Sequence, residues 1–313
     1  MSKRIVKVGS RESALAMWQT EFVIQCLQQK TNDYIFEIVP IKTKGDKILD
    51  VALAKVGDKG LFTKELELAM LDGAIDLAVH SMKDMPTVLI EDLTIAAVLE
   101  RHDPHDVLIA ASGIPSFAQL PQGAKVGTSS LRRRAQLLHL RPDLEIHDIR
   151  GNLNTRLRKM TEEHFDALIL AAAGVERLGW SEKITEKLSY DICLPAVSQG
   201  AIGVECRKDD AEILALTALV HDEKTAVCVQ AERALLKALE GGCQVPIGAL
   251  AELQDERIVL RGIVGSLDGQ ILLKDQQTGR ADAPEQIGID LAQRFMDNGA
   301  QQILESIRQE LAQ

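Results

Sequence analysis

The stretch Lys7-Val8-Gly9-Ser10-Arg11-Glu12-Ser13 decides the fold once it is set beside Lys125-Val126-Gly127-Thr128-Ser129-Ser130. In both, a short strand-like run ends on glycine, hydroxyl residues follow, and a helical pattern begins. A second pair keeps the same order, Asp76-Leu77-Ala78-Val79 matching Asp166-Ala167-Leu168-Ile169. A unit that occurs twice predicts two similar α/β lobes with a cleft between them.

Outward from these strings, the chain to about residue 200 alternates strand-like and helix-like segments. Residues 5–9, 36–41, 76–80, 94–98, 107–111, 144–149 and 167–171 read as strands, and 61–71 and 131–140 as helices. The alternation predicts mainly parallel sheets. From about residue 223 the character changes: a helical stretch over 225–239 leads to Glu240-Gly241-Gly242-Cys243-Gln244-Val245-Pro246. Strands around 249–253 and 258–264 and two helical stretches complete a separate α+β domain.

Bulk properties agree with several domains. A chain of 313 residues, 46% hydrophobic and 26% charged, exceeds one ordinary core, and 3% aromatics leave its cores aliphatic. No apolar run approaches the roughly 20 residues of a membrane span. The N-terminus lacks signal-peptide character, so a cytoplasmic protein is expected. A net charge of −10 opposes nucleic-acid binding. Five scattered cysteines without a C-x-x-C pair argue against a disulfide framework and a zinc site, and no metal is expected. Cys26, on a helix face with Leu15, Trp18 and Phe22, and Cys206, ending a strand-like run, are expected in the core.

The arginines are not evenly spread. Arg11, Arg132, Arg133, Arg150, Arg156 and Arg177 follow strand ends or open the next helix, where ligands of open α/β sheets bind. Arginine at a helix N-terminus opposes the helix dipole, so an anion is expected there. Guanidinium groups grip carboxylates in pairs, which suits a ligand with several of them; the alternative is a solvated, salt-bridged surface. Lys83 and Asp84, in His80-Ser81-Met82-Lys83-Asp84-Met85-Pro86, follow a buried-looking strand. Asp84 either faces a cation or N–H donors, or caps the turn before Pro86. Cys243, on a tight glycine loop, is accessible as a nucleophile or as a tether.

Six strings in order, Thr43-Lys44-Gly45-Asp46, Gly57-Asp58-Lys59-Gly60-Leu61-Phe62, residues 80–86, Gly127-Thr128-Ser129-Ser130-Leu131-Arg132-Arg133, Arg150-Gly151-Asn152 and Glu240-Gly241-Gly242-Cys243, span nearly the whole chain. Together they resemble the hydroxymethylbilane synthase (porphobilinogen deaminase) family. The resemblance implies two periplasmic-binding-protein-like lobes, residues 1–99 with 200–220 and residues 100–199, and a C-terminal domain over 221–313. It also implies a transferase of haem and tetrapyrrole biosynthesis that deaminates four porphobilinogen molecules and joins them head to tail. The primer is a dipyrromethane bound to Cys243 through a thioether, and hydroxymethylbilane is released.

By the same resemblance, Asp84 is the central catalytic acid with Lys83 beside it. Arg11, Ser13, Ser81, Lys83, Asp84, Thr128, Ser129, Ser130, Arg132, Arg133, Arg150, Gly151 and Arg156 hold the cofactor. Arg11, Arg150, Arg156, Arg177 and Gln199 meet the substrate, and Lys59 and Phe62 lie on a loop over the cleft. A monomer without nucleic-acid or membrane partners is expected. Ala14 stands where the family often has proline, and Ser198 where glycine is common, a change that bears on stiffness between the lobes. Two rival readings are a solute receptor built on two lobes and an amidohydrolase with Cys243 as nucleophile.

Overall fold

Strand β1 (Arg4–Arg11) runs between β2 (Tyr34–Ile41) and β3 (Leu77–Ser81), parallel to both. With β4 (Leu93–Val98) and β10 (Ile202–Arg207) they form a sheet of order β2-β1-β3-β10-β4. A second sheet has the order β7-β6-β8-β5-β9, made of β5 (Asp106–Ala110), β6 (Lys125–Gly127), β7 (Glu145–His147), β8 (Ala167–Ala171) and β9 (Glu186–Lys187). The two orders are the same, with β6, β7, β8, β5 and β9 in the places of β1, β2, β3, β10 and β4. This computed structural model describes residues 3–47, 60–239 and 245–311.

The equivalence reaches single residues. Val8 pairs with Leu77 and Gly9 with Ala78, as Val126 pairs with Ala167 and Gly127 with Leu168. Asp76 accepts the Lys7 backbone N–H at 2.7 Å, and Asp166 accepts that of Lys125 at 2.7 Å. The two glycines are set by close approach. A Cβ on Gly9 would lie 2.4 Å from Ile75 Cδ1, and one on Gly127 2.5 Å from Leu168 Cδ2.

The sheets are half parallel, where mainly parallel ones were expected. β10 runs antiparallel to β3 and β4, and β5 antiparallel to β8 and β9. An antiparallel strand needs no crossover helix to enter a sheet, so a strand arriving from elsewhere in the chain can be inserted directly.

Among the described residues the chain divides into two compact units: residues 3–47, 60–102 and 200–226, and residues 103–199, 227–239 and 245–311. The second unit also holds an antiparallel sheet of β11 (Ile247–Gln254), β12 (Arg257–Gly265) and β13 (Leu272–Arg280). β13 escaped the sequence reading because its residues are largely polar and it lies at the sheet edge. This sheet joins the second lobe through Ala249 N–H to Pro195 O at 3.0 Å and Arg134 Nε–H to Leu267 O at 3.1 Å.

Helix α1 (Ala14–Lys30) buries Ala16, Gln19, Thr20, Val23, Ile24 and Leu27. The expected face of Leu15, Trp18, Phe22 and Cys26 instead lies beside it: Trp18 and Phe22 stack on each other at 5.2 Å, and Cys26 is only partly buried. On this face Val23, Ile24 and Leu27 enter the core of the first unit, and Gln19 bonds Ser81 of β3. Cys206 is buried as expected. Ala14 is the first helical residue after the cap Ser13, a position where proline loses nothing. No helix among the described residues is long and apolar enough to cross a membrane.

Candidate active site

In the first unit, the predicted residues collect at the C-terminal ends of parallel strands. Arg11 ends β1; its guanidinium donates to Asp46 Oδ1 at 2.5 Å and Oδ2 at 3.3 Å, and lies 4.2 Å from the Phe62 ring centroid. Asp46 belongs to the turn α2 (Lys44–Lys47) and also accepts Thr43 Oγ1–H at 2.7 Å. Burial pushes its carboxyl up, but the bonds from Arg11 and Thr43 outweigh this and hold it below the usual range. Ser13 caps α1, accepting from Ala16 N–H at 3.3 Å. Ser81 exchanges hydrogen bonds with Gln19 at 2.9 and 3.1 Å.

A 3-10 turn, Met82–Asp84, then projects Lys83 and Asp84 between the buried anchors Met82 and Met85. Met85 N–H closes this turn on Met82 O at 3.2 Å. The Asp84 carboxylate, half-buried, takes no hydrogen bond or ion pair among the described residues, so it does not cap the turn. Just before it on β3, His80 Nε2 lies 3.0 Å from Glu205 Oε2, both buried. Glu67, on helix α3 (Lys64–Leu71), faces this pair; burial and the Glu205 charge raise its pKa against the pull of Thr63 and His80. Lys59 lies outside the described residues.

The second unit repeats the arrangement at the ends of β6, β7 and β8. Thr128 N–H donates to His147 O at 2.9 Å, and Ser129 and Ile149 exchange bonds at 3.0 Å, tying the turn after β6 to the one before Arg150. Helix α4 (Leu131–Leu140) opens at Ser130 without a side-chain cap, and its first amide bond is Arg134 N–H to Ser130 O at 2.9 Å. The N–H groups of Leu131, Arg132 and Arg133 therefore have no partner within the helix, the condition that favours an anion. Arg150 is half-buried, and its guanidinium takes no hydrogen bond or ion pair among the described residues. Desolvation lowers its pKa while Asp148 opposes.

Gly151 adopts φ +112°, in the left-handed region that favours glycine, and Asn152 caps helix α5 (Leu153–Glu162) by accepting Thr155 N–H at 2.9 Å. Arg156 Nε–H donates to Gly151 O at 2.9 Å. Arg177 ends helix α6 (Ala172–Arg177); it is buried, and desolvation brings its pKa to about 10.

Arg132 and Arg133 point inward, where the chain supplies its own anion. Arg132 Nη1 donates to Asp106 Oδ2 at 2.7 Å and Leu194 O at 2.6 Å; Arg133 Nη2 donates to Asp106 Oδ1 at 2.7 Å and its Nη1 to Ile169 O at 2.8 Å. Asp106 is 0% exposed and also receives Gln199 Nε2–H at 2.9 Å and Cys193 Sγ–H at 3.1 Å. Burial alone would raise the Asp106 carboxyl, but the two arginines hold it far below the usual range. Burial, with Asp106 nearby, pushes the Cys193 thiol up to about 12. Two guanidinium groups on one carboxylate leave one positive charge in the cluster.

Gln199 is buried within this network, also donating to Pro104 O at 2.8 Å. Ser198 before it adopts φ +62° and donates its N–H to Glu232 Oε2 at 2.6 Å. Its buried hydroxyl has no partner among the described residues. Gln19, Asp46 and Asp106, which bond Ser81, Arg11 and the Arg132–Arg133 pair, are neighbours of the candidate site that sequence reasoning missed. Asp106 left one signal, a charge opening an otherwise apolar strand.

Two family models cover most of the chain. "Porphobilinogen deaminase, dipyromethane cofactor binding domain" matches residues 6–215, and "Porphobilinogen deaminase, C-terminal domain" matches residues 226–297. The chain belongs to the porphobilinogen deaminase family. The porphobilinogen deaminase of Carboxydothermus hydrogenoformans is 56% identical over 308 residues, covering 98% of this chain and 99% of that one. That of Gloeobacter violaceus is also 56% identical over 308 residues, at 97% and 94% coverage. Porphobilinogen deaminase membership displaces the solute-receptor and amidohydrolase readings, and it makes the chain a transferase of tetrapyrrole biosynthesis with a dipyrromethane-binding domain. Among solved structures, the VFT2 domain of Bordetella pertussis BvgS is similar at 15% identity and a TM-score of 0.43, covering 69% of this chain and 86% of that one. Cys243, on which the porphobilinogen deaminase chemistry was expected to centre, falls within the C-terminal match and lies outside the described residues.

Proposed function

We propose that this chain deaminates porphobilinogen at Asp84 and joins four units head to tail on a dipyrromethane held by Cys243 through a thioether, releasing hydroxymethylbilane. The observation that carries the reading is the Asp84 carboxylate, which has no hydrogen-bond or ion-pair partner among the described residues. The acids beside the arginines, Asp46 and Asp106, are paired, whereas Asp84 is held out by a turn that does not need it.

The residues fit a polycarboxylated pyrrole. Arg150 has no partner among the described residues, the α4 N-terminus is uncapped, and the cluster behind it keeps one positive charge. When bound, the dipyrromethane supplies the pyrrole carbon to which new units are added. Arg150, Arg156, Ser130 and the α4 amides would hold acetate and propionate groups, with Thr128, Ser129 and Gly151 setting that backbone. Arg132 and Arg133 contribute through the charge of their cluster. Arg11, Arg177 and Gln199 serve the substrate, and Ser13, Ser81 and Lys83 order the surroundings of Asp84.

Asp84 accepts the pyrrole N–H of the substrate and offsets the positive charge that grows as the C–N bond to ammonia breaks. Its contribution is therefore larger in the transition state than in the ground state. A monomer working in the cytoplasm is part of the same proposal.

Intact mass tests the tether. Purified protein should exceed its 34.3 kDa chain by two linked pyrrole units. Cys243→Ser should lose the addition, and Cys26→Ser should keep it. An active wild-type protein of unmodified mass refutes the reading.

A further inference from the structure

We infer that Asp106 is a positioning residue for the anion-binding end of the second unit, a role that rests on the proposed function. Its carboxylate touches each of the pieces to be kept in register. Oδ2 receives Arg132 and Cys193, and Oδ1 receives Arg133 and Gln199. These donors come from the first turn of α4 and from the segment 193–199, while Asp106 itself opens β5. One buried carboxylate thus fixes the helix whose uncapped N-terminus awaits an anion.

Electrostatics requires such a group. The two guanidinium groups bonded to this carboxylate are buried like charges, and without the carboxylate they repel at close range. With it, they hold the first turn of α4 still and leave one positive charge to favour a ligand anion. The same bonds explain why arginine is tolerated in the first turn of a helix: each guanidinium meets the Asp106 carboxylate inside the protein. Asp106 touches no reacting atom in this arrangement, so its effect falls on binding rather than on bond breaking.

The test uses the full-length protein purified as it loads its own primer. Asp106→Asn should lower the primer-bearing fraction, read by intact mass. In the loaded fraction it should raise KM for porphobilinogen on the order of 10- to 100-fold with kcat within a few-fold of wild type, the scale of one weakened charge-assisted hydrogen bond to the ligand. Leu137→Ala, which empties a buried core position of the same helix, supplies the comparison. It should lower the melting temperature while leaving KM and loading at wild-type values. Asp106→Glu keeps the charge on a longer arm and should fold, load and show a KM raised several-fold. It decides the matter alone if Asp106→Asn does not fold. Wild-type loading and KM in a folded Asp106 variant overturn the inference, as does an equal KM effect from Leu137→Ala. A wild-type protein without primer would instead refute the proposed function.

Discussion

Asp84→Asn separates chemistry from architecture because the structure gives the side chain nothing to hold. The substitution keeps the size and one acceptor oxygen and removes only the charge. Among the described residues it breaks no hydrogen bond or ion pair, and the turn around it still closes through Met85 N–H and Met82 O. Folding stability should therefore change by less than about 0.5 kcal/mol, as for a surface position without partners. Catalysis should change far more. Removing a preorganised group that meets charge only in the transition state typically costs about 3–4 kcal/mol, or roughly 100- to 1,000-fold in turnover. Single-turnover kinetics with porphobilinogen, on protein shown by mass to carry its primer, measures the chemical step alone. Thermal melting of the same sample measures the fold. Turnover within a few-fold of wild type would refute the argument and direct attention to Lys83. A melting temperature lowered by many degrees would refute the claim that Asp84 is structurally idle.

Arg150→Leu should leave the melting temperature unchanged, since no hydrogen bond or ion pair among the described residues is lost, yet reduce the primer-bearing fraction by about 10- to 100-fold, the value of one charge-assisted pair; intact mass reads the result. Glu67 has a folded-state pKa raised by burial and by Glu205, so its favourable contribution is present below its unfolded value of 4.5 and is lost as pH rises above that. Glu67→Gln should accordingly raise the melting temperature by a few degrees at pH 7–8 and change little at pH 4; the opposite pH trend would contradict the assignment. Ser198→Gly removes a left-handed serine and a buried unpartnered hydroxyl, and should stabilise the protein by about 1 kcal/mol in denaturant melts despite the greater freedom of unfolded glycine.

The repeat and the positions of the candidate site residues at strand ends were legible in the chain because both are local. A strand closing on glycine before hydroxyl residues and a helix is written in consecutive residues. So Lys7–Ser10 and Lys125–Thr128 identified two equivalent lobes, and the arginines after strand ends stood out, although Arg11, Arg132 and Arg133 meet acids of the chain itself. Asp84 after its strand was equally visible, but whether it capped its turn was not, because that depends on which backbone group closes the turn. Tertiary structure alone decided the insertion of β10 and β5 against the parallel strands, since pairing between distant segments leaves no local period. It alone turned α1 toward Gln19 and Ser81 rather than Trp18 and Phe22. It also gave Arg132 and Arg133 an internal anion, Asp106, 26 and 27 residues away in the chain. A charge reads the same in sequence whether its partner is a ligand or a buried carboxylate, and only the folded distance tells them apart.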